Sequence, residues 1–185
     1  RRILSEFDFF SWDGTGGMEK VDTSRASENL TSAAAALMTI VGLYKMNARL
    51  LWTQDILTQY GSVGSGAGWK ELIQDTPEDD EVDTLYEGLE KIWDGILLTL
   101  PDLNNEPITM RKHDHEFGDE DHDHLLFWPI GQTALLAPLV RRLLDQNHID
   151  LPTDSKQVET ALSPLKVIPW DLKHDLWRDF LLVWD

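Results

Sequence analysis

Between Thr76 and Pro101 the chain repeats apolar side chains at intervals of three and four: Val82, Leu85, Tyr86, Leu89, Ile92, Trp93 and Ile96. Glu81, Asp83, Glu87, Glu90 and Lys91 fall on the opposite side. That spacing predicts an amphipathic helix with one buried stripe. Its ends are signalled as well. Thr76 can cap, Pro77 suits the first helical position, Glu78 and Asp79 complement the helix dipole, and Pro101 lacks the amide needed to continue. Such a stripe has to be buried against other elements.

The remaining sequence offers partners of the same kind. Ser27, read as an N-cap, leads through Glu28, Asn29, Leu30 and the alanines 33–36 to Leu43 and Tyr44, which predicts a helix apolar nearly all round and therefore central. Leu50 to Tyr60 predicts another, with Leu51, Trp52, Ile56 and Leu57 near one face. After Leu125-Leu126-Phe127-Trp128-Pro129, the residues Leu135, Leu136, Leu139, Val140, Leu143 and Leu144 are spaced for one buried face, with Pro138 expected to kink that helix or mark its start. A short helix is expected from Asp154 to Leu162, ahead of Pro164. A last one, Leu172 to Trp184, puts Leu172, Leu176, Trp177, Phe180, Leu181 and Trp184 on one stripe.

No internal repeat and no strand-like alternation longer than a few residues is present. The fold class expected is all-α or α-dominated, an irregular helical bundle with long acidic and Gly-rich loops at 102–124 and 61–68. At 185 residues and 42% hydrophobic the chain can bury one good core. Residues 1–23 are read as an N-terminal connector and 24–185 as a single helical domain, part of a larger protein. The opening Arg1-Arg2-Ile3-Leu4 has neither an initiator Met nor a signal-peptide pattern, which fits a fragment.

Charge narrows the function classes. With 33 acidic against 16 basic side chains the formal charge is −17, a field that repels phosphate backbones. Direct, unaided DNA binding is disfavoured. No apolar run approaches the roughly 20 residues of a membrane span; the longest candidate, Ala33 to Tyr44, is broken by Thr39 and Gly42. The absence of Cys excludes disulfides and thiolate ligands and suits a cytoplasmic location.

The sharpest chemical feature is the run from His113 to His124. It packs four imidazoles and six carboxylates into twelve residues. Imidazole and carboxylate suit Zn, Ni, Mn or Fe, so His113, His115, Asp121, His122 and His124 are the candidate ligands for a divalent ion. The spacing is not diagnostic. A His-x-His-x-Asp-His site would need Asp-His where Phe117-Gly118 stands, and a zincin helix would need His where Asp119 stands. A solvated acidic loop is the favoured reading, and no cofactor is expected unless this loop takes a divalent metal. Asp13-Gly14-Thr15-Gly16-Gly17 lacks the Lys-Ser/Thr of a phosphate loop and reads as a connector.

Arg111-Lys112 and Arg141-Arg142 are the candidate contacts to nucleic acid or a partner; the favoured alternative is that they serve helix dipoles and carboxylates within the fold. Trp93, Trp128, Trp170, Trp177 and Trp184 have apolar neighbours and are assigned to the core. No nucleophile, base and orienter set can be assembled.

Leu125-Leu126-Phe127-Trp128-Pro129-Ile130-Gly131-Gln132 resembles a phrase found late in the DGQHR-domain family, which includes regulators of DNA sulfur modification (phosphorothioation). Leu165-Lys166-Val167-Ile168-Pro169-Trp170-Asp171-Leu172, the following Trp177-Arg178, the closing Leu182-Val183-Trp184-Asp185, and Ser24-Arg25 with Asn29-Leu30 are similar in the order of the C-terminal half of such a protein. The Asp-Gly-Gln-His-Arg motif that names the family is absent from this chain, as is a counterpart of the family's ParB-like N-terminal part. The resemblance implies a regulatory or scaffolding region of a DNA-modification and anti-phage-defence protein. Its expected partner is a protein or an N-terminal half, with DNA reached only indirectly or through that part and no membrane. It transfers no catalytic residue. Two other functions are weighed beside it. One is a metal-dependent phosphoester hydrolase using residues 113–124; the other is an acidic partner-binding protein or DNA mimic.

Overall fold

The computed structural model describes residues 6–10, 20–24, 27–31, 33–51, 79–111 and 123–177. Among them the chain is dominated by helix. The long elements are α1 (Ile40–Leu51), α2 (Asp79–Thr99), α3 (Ala137–Gln146) and α4 (Ser155–Leu162). A parallel pair of two-residue strands, β1 (Val21–Asp22) and β2 (Met38–Thr39), precedes α1, with Val21 opposite Met38. No helix among the described residues is long and apolar enough to cross a membrane.

The helix anticipated from its periodicity is α2. Leu89, Ile92, Trp93 and Ile96 are buried, whereas Asp83 and Glu87 are exposed. Thr99 Oγ1 donates to Gly95 O at 2.8 Å, and Pro101 follows without an amide to extend the ladder, opening a 3-10 turn at Pro101–Asn104 instead. The neighbour of α2 is α4, with the segment leading into it. A Cβ on Gly88 would meet Leu151, and one on Gly95 would overlap Val158. Seven residues along α2 thus match seven from Leu151 to Val158, so the two run side by side in the same direction, close enough that glycine is needed at the crossing.

The alanine-rich segment departs from expectation. No helix starts at Ser27. Residues 33–37 are non-helical, Met38 and Thr39 form β2, and α1 begins only at Ile40. The peptide groups a helix would use are engaged elsewhere. Leu37 N and Met38 N both donate to Lys20 O, and the carbonyls of Ala34, Ala36 and Leu37 accept from distant side chains. Alanine's helix preference amounts to less than about 1 kcal/mol per residue, which such tertiary bonds outweigh. The cap moves to Thr39, whose Oγ1 accepts from Gly42 N at 3.1 Å. The helix expected from Leu50 to Tyr60 lies outside the described residues beyond Leu51, as does the glycine-rich loop.

Pro138 marks the start of the α-helix, one of the two outcomes expected for it: it stands in the first turn of α3, directly after Ala137. A π-helical turn, Ile130–Leu136, runs directly into α3, and Ala137 N donates to Gln132 O, five residues back. Pro138 has no N–H for the carbonyl four residues before it, and the wider turn accommodates that missing bond. The short helix α4 forms as anticipated, capped by Asp154, whose Oδ1 accepts from Lys156 N at 3.0 Å. Of the last stripe, Phe180, Leu181 and Trp184 lie outside the described residues; Leu172 stands in a turn rather than at a helix start, and Leu176 is exposed.

One apolar core joins these elements. It includes Phe7, Phe10 and Val21, at 5%, 4% and 2% exposure, so the stretch read as a connector contributes core residues. Phe10 meets Trp93 edge-on at 4.8 Å between centroids, and Trp93 Nε1 donates to Asn47 Oδ1 at 2.8 Å, linking α2 to α1.

Candidate functional site

The stretch after Pro101 is more structured than the long loop expected there. Pro107–Met110 forms one helical turn, and Arg111 then pairs with Asp123 in an antiparallel bridge, so the two ends of the acidic histidine run are held together. His124 N donates to Met110 O at 2.8 Å, and Leu172 N donates to Asp123 O at 2.9 Å. His124 also bridges to Asp171.

From this neck the Arg111 side chain enters the interior, at 0% exposure. Its Nε donates to Phe127 O at 2.5 Å, Nη1 to Ala34 O at 2.9 Å, and Nη2 to Ala36 O at 2.8 Å and Leu37 O at 2.7 Å. The planar fork of donors suits this spread of acceptors in a way an ammonium cannot. Burial pushes the guanidinium down to about 10. That leaves it charged at neutral pH and marks the desolvation it bears. Gln132 completes the cluster. Its Nε2 donates to Leu37 O at 2.9 Å and Leu126 O at 2.8 Å. Gly131 admits the turn here, because a Cβ would overlap the Leu125 carbonyl oxygen.

Residues 125–132 and 165–172 therefore touch. Leu125 N donates to Trp170 O at 2.7 Å, and Trp170 is buried with its Nε1 bonded to Leu165 O at 3.2 Å. Trp170 stacks on Trp177 at 6.3 Å between centroids. Asp123 is buried at the same place, its Oδ1 accepting from Trp128 Nε1 at 2.5 Å.

Of the candidate metal ligands, only His124 is among the described residues; His113, His115, Asp121 and His122 lie outside them. His124 Nδ1 accepts from Leu126 N at 3.3 Å, capping the following 3-10 turn, which assigns the neutral ring's proton to Nε2. Nε2 lies 3.5 Å from Asp102 Oδ2, a carboxylate the sequence did not single out. Among the described residues no group of three or more His, Cys, Asp and Glu could hold a metal ion.

Two of the candidate contact residues need correction. Arg111 and Arg141 are buried, so neither guanidinium faces a phosphate or partner. Arg141 Nε donates to Asp145 Oδ1 at 2.8 Å, Nη1 to Leu50 O at 3.1 Å and Asp150 O at 3.2 Å, and Nη2 to Ile149 O at 2.5 Å, tying the end of α1 to the loop after α3. These bonds satisfy carbonyls that a helix end and a loop leave without partners. Arg142 is exposed on α3, and Lys112 lies outside the described residues. Sequence reasoning missed Gln132 and Asp123 as buried polar residues. The signal for the first was a lone amide in an apolar run.

The class these features define is a mostly helical domain with a buried polar cluster that holds main-chain segments together. Comparison with family models, curated proteins and solved structures finds no match.

Proposed function

We propose that the chain is a regulatory or scaffolding helical region that acts through protein association in a DNA-modification and anti-phage-defence setting. The observation that carries the non-catalytic part is the Arg111 and Gln132 cluster. Arg111 and Gln132 are engaged with backbone carbonyls from residues 34–37 and 126–127, which supports a structural rather than a ligand-binding role for this cluster. The DNA-modification setting rests on the resemblance to DGQHR-domain proteins. A protein of net charge −17 suits a basic partner, or a basic N-terminal part, better than it suits DNA.

The test is genetic and chemical together. In cells that carry DNA sulfur modification, deletion of the gene is expected to change the phosphorothioate content of nuclease-digested DNA, read by mass spectrometry. Unchanged content would remove the setting. Metal analysis of untagged protein, with His122→Ala and His124→Ala alongside, addresses the hydrolase alternative. Stoichiometric metal lost in the variants would favour that enzyme over the scaffold.

A further inference from the structure

We draw no further inference here: the strongest candidate, the uncharged outer face that Ile130, Ala134 and Pro138 present along the π-helical turn and the start of α3, carries none because nothing in the structure shows what covers it.

Discussion

A guanidinium taken out of water loses hydration worth several kcal/mol, and Arg111 recovers part of it by donating to four carbonyl oxygens at once. Arg111→Met keeps the length and removes every donor, taking this partner from the Phe127, Ala34 and Ala36 oxygens while Leu37 O keeps Gln132 Nε2. The expected loss is about 3–5 kcal/mol, read from urea midpoints. Arg111→Lys keeps the charge but not the fork, and should fall between the two; a lysine variant as stable as wild type would mean that the fork geometry is immaterial. Asp94 on α2 offers a test through pH. Burial raises its carboxyl above the usual 3.8, against the opposing pull of Lys91. The fold therefore binds this proton more tightly than the unfolded chain does. The group disfavours folding at neutral pH, and that penalty is relieved as pH falls through the raised value towards 3.8. Asp94→Asn should be the more stable protein at pH 7, with the gap closing towards pH 4, because the Lys91 contact it removes is a half-exposed pair of little worth. A gap independent of pH would contradict this account. The role of Arg111 could not be read from the chain, since three of its acceptors lie 74 to 77 residues away and the sequence carries no sign of a carbonyl in need of a donor.

At the scale of elements, glycines decide how closely the pieces approach. Gly95→Ala gains about 1 kcal/mol in helix propensity but drives a methyl into Val158, and overpacking of this kind typically costs about 1–3 kcal/mol. The net expectation is destabilisation, read from the thermal midpoint. Gly131→Ala should lose more, because the obstacle is the Leu125 carbonyl, main chain that cannot rotate aside. Gly42→Ala is the control: its Cβ would meet Thr39 Oγ1 at 3.5 Å and Met38 Cβ at 3.9 Å, ordinary contacts. That variant should gain about 0.4–1 kcal/mol. If all three variants lose stability equally, the close approaches are not the cause. The helix α2 was legible from its periodicity and from Pro101 at its end, the expected cap at Thr76 and Pro77 lying outside the described residues, and α4 from its expected range ahead of Pro164. The alanine segment was misread because a modest propensity competes with hydrogen bonds whose donors arrive from elsewhere in the fold.

For the whole molecule the dominant global quantity is its charge. With 33 acidic and 16 basic side chains, self-repulsion opposes compaction, so raising NaCl from about 0.05 M to about 0.5 M should raise the urea midpoint as screening shortens the range of repulsion. In the same protein, anisotropy with a short DNA duplex at about 0.1 M salt should show no binding; saturable, salt-sensitive binding would mean that the basic side chains gather on one face after all. Composition and periodicity by themselves determined that the chain folds, that it is mostly helical, and where α2 and α4 run, because those properties depend on hydrophobic pattern and on local caps. Only the tertiary structure decided that the alanines leave the helix, that Phe7 and Phe10 join the core, and that Arg111 and Arg141 turn inward. Each of those outcomes is set by partners far away in sequence, and an isolated stretch of chain holds no record of which carbonyl will be left for which donor.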